Sequence, residues 1–179
     1  IMSNWQYITT WDEEQLATLE DDYNLRGYNQ LADGFGVNLH GRNLLVVDID
    51  ARNGGVQSAA KLAPILMSCT FVVQTGSGNG SKHYYFYIPE EWRGKALKAH
   101  LDITPGIDFK STGFVVGCGS LHKSGARYEA LIGSPGEIGD APESLLQLLL
   151  IPERQREVFE GRTIEYSHDE LVSIAHSPA

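Results

Sequence analysis

The chain has 179 residues, 42% of them hydrophobic, enough for one soluble domain with its own core. It holds no apolar run long enough to span a bilayer, no recognisable leader and only two cysteines, Cys69 and Cys118, outside any Cys-x-x-Cys pair. A membrane span, a disulfide framework and a cysteine-built zinc site are therefore disfavoured, and a reducing cytoplasm is the expected location. The net charge of −9 has the wrong sign for a uniform nucleic-acid-binding surface, but it is polarised. Residues 1–41 carry −6, residues 42–127 carry +4 and residues 128–179 carry −7.

In chain order, an acidic first turn after Thr9 or Thr10 predicts a helix over residues 12–25. Residues 35–39 read as a strand, and Gly41-Arg42-Asn43 as the turn of a hairpin into a second strand over 44–50. That second strand, Leu44-Leu45-Val46-Val47-Asp48-Ile49-Asp50, ends in two carboxylates two residues apart. Alternation places Asp48 and Asp50 on one face and Leu45, Val47 and Ile49 on the other. Carboxylates that close repel unless a cation sits between them, and hard oxygen donors suit Mg²⁺ or Mn²⁺. The competing reading is a solvated turn after a buried strand.

Apolar residues at helical spacing predict a helix over 56–67, opened by Gly54-Gly55 and kinked at Pro64. Strands over 70–75 and 83–88 flank a glycine-rich loop, Thr75-Gly76-Ser77-Gly78-Asn79-Gly80-Ser81-Lys82, with His83 at its exit. Ser81, Lys82 and the amides of residues 78–81 form a candidate phosphate nest. Tyr85 and Tyr87, on the His83 face, are candidates for base stacking. Residues 89–104 mix charge with Trp92 and one weak helix signal, strands follow over 107–110 and 114–118, and a closing helix over 142–150 takes Asp140 as its cap. Asp108 and Lys110 share one face of the 107–110 strand.

Three of these segments, Asp48-Ile49-Asp50, Ser81-Lys82-His83 and Ile107-Asp108, occur in an order that resembles the archaeo-eukaryotic primase superfamily. More closely, it resembles the bifunctional primase-polymerase domain of plasmid and phage replication proteins. It extends through Ala51-Arg52-Asn53-Gly54-Gly55 and Gly106-Ile107-Asp108-Phe109-Lys110, over roughly residues 35–150. The resemblance implies an α/β (α+β) fold, an RRM-like mixed sheet joined to a smaller α/β unit, with the site in the cleft between them. It implies Asp48, Asp50 and Asp108 as ligands of two Mg²⁺ or Mn²⁺ ions, and His83 as a donor to the triphosphate of an incoming NTP or dNTP. Lys110 stands where the family carries Arg, supplying a point charge in place of a bidentate fork. Ser120 and His122 resemble the family's Pro-Ser-x-His segment, although Gly117-Cys118-Gly119 departs from the usual residues before it, and the glycine-rich loop is longer than the family's form. No zinc-binding stem is present in the sequence.

The expected function is template-directed nucleotidyl transfer, making or extending primers on single-stranded DNA in replication of a phage, plasmid or mobile element. Residues 1–150 would form the catalytic domain, and 151–179 a polar tail or linker toward a helicase or helical accessory domain. A metal-dependent nuclease or phosphohydrolase and a catalytically faded nucleotide-binding module are the alternatives.

Overall fold

The computed structural model describes residues 34–152, so the expected helix over 12–25 and the tail beyond 152 lie outside the described residues. The fold is mixed α+β and is built on one five-stranded sheet. Its strands are β2 (Leu44–Ile49), β3 (Phe71–Gln74), β4 (Lys82–Tyr87), β5 (Ile107–Lys110) and β7 (Glu129–Ile132), in the order β5-β2-β4-β3-β7. Every neighbouring pair is antiparallel. A separate two-stranded ribbon pairs β1 (Gly36–Asn38) with β6 (Phe114–Val116).

The centre of the sheet is buried on both faces, which is why β2 reads as a nearly continuous apolar run. On one face Leu45, Val47, Ile49, Phe86, Ile107 and Phe109 pack against Leu62, Leu66, Leu145, Leu146 and Leu149 from the helical layer. On the other, Leu44, Val46, Phe71, Val73 and Tyr85 pack with Leu39, Val115 and Tyr128. Each fully buried leucine of this kind stabilises the fold by about 1.5–3 kcal/mol. The helical layer comprises α1 (Gly55–Ala59), α2 (Ala63–Leu66) and α3 (Glu143–Leu149).

The structure corrects several expectations. Strand 35–39 does not form a hairpin with β2; it pairs with β6, almost eighty residues away, and Leu39 belongs to the second core. The local turn at 41–43 exists, but the apolar residues of β1 are spent on the ribbon. The helix expected over 56–67 is divided by a 3-10 turn at Ala60–Leu62. Pro64 lacks an amide and its ring crowds the carbonyl of Ala60, and it sits in the first turn of α2, where a missing N–H costs little. The weak helix signal within 89–104 resolves to the 3-10 turn Glu90–Trp92. Asp140 does not cap α3: Pro142 occupies the cap position with no side-chain bond, and Asp140 instead bridges Tyr87. β7 has no counterpart among the expected elements, because all four of its residues are exposed and so carry no alternation of apolar and polar residues.

Candidate active site

Antiparallel register brings the chemistry together. Asp48 of β2 lies directly opposite Asp108 of β5 on one side and His83 of β4 on the other, while His100 bridges Asp108 from beyond the sheet edge. The result is a row, His100–Asp108–Asp48–His83, running across the strands at one height. Directly paired residues of an antiparallel ladder project to the same face, so all four side chains share it. On β2 that face reads Leu44, Val46, Asp48: two residues of the second core, then a carboxylate.

Asp48 is the hub. Its Oδ2 accepts from Lys110 Nζ at 2.6 Å and its Oδ1 lies 3.4 Å from His83 Nε2. Burial alone would raise its carboxyl, but the His83 hydrogen bond and charge, and then those of Lys110, reverse this and lower it to about 2. The buried His83 ring is bracketed: its Nδ1 stands 3.5 Å from the Tyr85 hydroxyl and its other nitrogen faces Asp48. Burial raises the Tyr85 hydroxyl well above its ordinary value, keeping it a neutral donor. Tyr85 is thus a core residue beneath the histidine, and its expected part in base stacking is excluded by burial at 2% exposure. Tyr87 is exposed but pairs with Leu44, at the far end of β2 from Asp48.

Asp50 follows β2 and caps the 3-10 turn Ala51–Asn53. Its carboxylate accepts from the Arg52 amide at 2.9 Å, from the Arg52 guanidinium at 3.2 and 3.1 Å, and from Asn53 Nδ2 at 2.9 Å. The Arg52 hydrogen bond is the main cause that holds the Asp50 carboxyl below its usual range. The turn is pressed against the start of β5, where Gly106, at φ +76°, leaves no room for a side chain: a Cβ there would stand 2.5 Å from Asn53 O and from Gly55 N. Asp108, on the next strand, binds His100 Nδ1 at 3.0 Å.

The glycine-rich loop closes the β4 side. Gly78, Asn79 and Gly80 have positive φ in succession, which explains a Gly-Asn-Gly run at this point. Two of the nest amides are used inside the loop, Gly78 N to Thr75 O and Ser81 N to Gly78 O, both at 3.1 Å. Ser81 is buried and its Oγ accepts from Ala51 N at 2.9 Å, tying the loop to the turn that carries Asp50. Lys82 alternates to the face opposite His83 and does not line the cleft. Nor does Ser120, whose buried hydroxyl bonds Phe35 N at 3.0 Å and Phe35 O at 3.3 Å, fastening the entry to β1. His122 does line it, held by Ser124 Oγ at 2.9 Å from Nδ1, while Ser124 Oγ donates to Gly76 O at 2.7 Å.

Together these residues enclose a cleft of about 310 Å³ that brings in Asp48, Asp50, Asp108, Ser81, His83, Lys110 and His122. Sequence reasoning missed Thr75, Ser77 and Tyr128 as lining residues, and His100 as the partner of Asp108. Tyr128 lies with its ring centre 5.8 Å from that of His83 and 6.2 Å from that of His122. Its signal was hidden in a segment without periodicity, and His100 sits in the irregular stretch before β5.

Among the described residues, no group of three or more His, Cys, Asp or Glu side chains is gathered as a ready metal cage. Each carboxylate is instead turned to a cationic or donor side chain: Asp48 to Lys110, Asp50 to Arg52 and Asp108 to His100. The donor chemistry still fits a hard divalent ion, because three carboxylates face one small polar cleft and Asp48 stays ionised far below neutral pH.

The bifunctional DNA primase/polymerase N-terminal family model matches residues 1–144. The chain belongs to this family. Membership makes it a nucleotidyltransferase-type enzyme of DNA priming and polymerisation, with nucleotides and DNA as its substrates. No curated protein matches the chain. No helix among the described residues is long and apolar enough to cross a membrane.

Proposed function

We propose that this primase/polymerase domain makes or extends primers by template-directed transfer of a nucleotide to a 3′ hydroxyl, with Asp48, Asp50 and Asp108 holding two Mg²⁺ or Mn²⁺ ions. The single observation that carries the reading is the register row, in which Asp48 and Asp108 are direct cross-strand partners with His83 on the adjoining strand. Such ions, when bound, lower the pKa of the attacking hydroxyl and neutralise charge on the leaving pyrophosphate.

The chain's own residues then divide the work. Asp48 and Asp108 present oxygens from a rigid sheet, and the Asp50 turn is anchored by Ser81 and by the close approach of Gly106. His83, bracketed by Tyr85, donates from Nε2 to a phosphate oxygen of the incoming nucleotide in place of Asp48. Lys110 supplies a positive charge to the same phosphates, and His122 lines the cleft beside the glycine-rich loop. The hydroxyls of Thr75 and Ser77, 2.7 Å apart, add neutral donors where the triphosphate would lie. Ser81, Lys82 and Ser120 support the site from outside the phosphate contacts, through the loop and the β1 entry. A replicating phage, plasmid or mobile element is the setting we infer, with a helicase or helical accessory domain supplying further template affinity.

The test is extension of a labelled primer on a single-stranded template with Mg²⁺ or Mn²⁺, comparing dNTPs with NTPs. Template-dependent lengthening that needs both nucleotide and metal is expected. Metal-dependent shortening of the DNA without added nucleotide would overturn the reading in favour of a nuclease.

A further inference from the structure

The two flanks of Asp48 are not alike, and the β5 flank contains an element with no assigned task. Residues 96–100 run irregularly alongside β5, with a bend at Ala99, bonding on one side to the α3 exit and on the other to β5. Lys98 N donates to Leu149 O at 2.7 Å, Ile151 N to Ala96 O at 2.9 Å, and Phe109 N to Ala99 O at 2.8 Å. Two bridges fix which way the side chains point. Leu97 pairs with Leu150, and both pack on the helical-layer core. His100 pairs with Asp108, on the cleft face. Lys98 lies between these two bridges and is exposed at the β5 edge.

The charge of this strip is distinctive. From Arg93 to His100 the sequence Arg-Gly-Lys-Ala-Leu-Lys-Ala-His contains no acid, in a chain of net charge −9. Arg93, Lys95, Lys98 and His100 are all exposed. Beside it, Lys110 is taken by Asp48 and Arg52 by Asp50. Lys98 is exposed and makes no ion pair among the described residues. An exposed, unpaired cation in an acid-free strip at the edge of the site fits a polyanion that arrives from outside the cleft.

We propose that the exposed segment 96–100, through Lys98 and His100, seats the phosphodiester backbone of the primer–template strand at the β5 edge. The proposal rests on the nucleotidyltransferase reading, in which the buried β4 flank with His83 and the glycine-rich loop receives the triphosphate. The primer end then reaches Asp48 and Asp108 from the side where, among the described residues, the Asp108 and His100 side chains are 45% and 72% exposed. The contact is to backbone phosphates and is independent of sequence, since Lys presents a point charge without a base-reading fork.

Fluorescence anisotropy of a labelled, primed single-stranded oligonucleotide over a series of salt concentrations tests this, using Lys98→Glu and, as a control of equal charge change on the helical layer, Lys61→Glu. The expected result for Lys98→Glu is about tenfold or greater weakening of DNA binding, with the slope of log K against log salt reduced in magnitude by about one. Binding of dNTP, read separately by calorimetry, should change by less than about twofold, and Lys98→Arg should restore DNA affinity. Unchanged DNA binding by Lys98→Glu, or equal weakening by Lys61→Glu, would overturn the proposal. A wild-type protein that extends primers while Lys98→Glu matches it refutes the strip alone; a wild-type protein that never extends a primer removes the underlying reading as well.

Discussion

The β4 and β5 flanks of Asp48 face the same cleft with opposite physics. On the β4 side the groups are buried and held by hydrogen bonds: His83 is 5% exposed and Ser81 3%. Tyr85 lies beneath the histidine, and the loop above it is shaped by three consecutive residues of positive φ. On the β5 side the side chains of Asp108 and His100 are 45% and 72% exposed, and charge rather than burial dominates. A buried, pre-organised flank recognises one small ligand by geometry, whereas an exposed charged flank tolerates many conformations of a long polyanion. Asp48, bonded to Lys110 from one strand and His83 from the other, is where the two meet.

Removing the meeting point should have the largest effect. Asp48→Ala should lower the rate of nucleotide incorporation by about a thousandfold or more, equivalent to ~4 kcal/mol, while circular dichroism shows the fold retained. Next comes the brace beneath Asp50. Gly106→Ala places a Cβ 2.5 Å from two backbone atoms at a positive φ, so urea unfolding should show a loss of ~2–4 kcal/mol, with activity falling through displacement of the turn. His83→Ala sharpens the comparison from the buried side: it removes a hydrogen bond to a charged ligand, and KM for nucleotide should rise about tenfold or more while DNA affinity is unchanged. An equal loss of DNA affinity would mean that the flanks are not separate sites.

The smallest effect is on acid stability. The carboxyl of Asp48, lowered to about 2 in the fold, lies below its ordinary value of 3.8, so its stabilising contribution is complete above that value and fades as pH falls through about 2. Asp48→Asn should therefore cost up to ~2 kcal/mol near neutral pH, and the gap to wild type should narrow between pH 4 and pH 2 in denaturation curves. A gap independent of pH would show that the Lys110 and His83 contacts do not act through the carboxylate charge.

Much of this arrangement was legible in the sequence because β2, β4 and β5 carry strong local signals. The nearly continuous apolar run of Leu44–Ile49, aromatic residues after the glycine-rich loop, and the short Ile-Asp-Phe-Lys strand each announce themselves within a few residues. What escaped depends on pairing between distant segments. Strand 36–38 has an adjacent turn and an adjacent strand, yet its partner is Phe114–Val116, and local turn chemistry cannot report that choice. β7 is exposed along its whole length and lacks a pattern to read. His100 becomes a site residue only because an irregular segment runs alongside β5, and Tyr128 only because the second core brings it over His83. Conversely, Ser120 and Lys82 sit close in sequence to site residues but fall outside the cleft, one spent on the β1 entry and the other on the opposite face of β4.

The most direct test of the account is single-turnover incorporation of one dNTP on a primed template with Mn²⁺, comparing wild type with Asp108→Asn, a nearly isosteric change at the exposed member of the carboxylate pair. The account predicts loss of incorporation by about two orders of magnitude or more, with dNTP binding and unfolding midpoint close to wild type. Undiminished incorporation by Asp108→Asn would contradict it, because the cross-strand Asp48–Asp108 pair could then not be the catalytic centre.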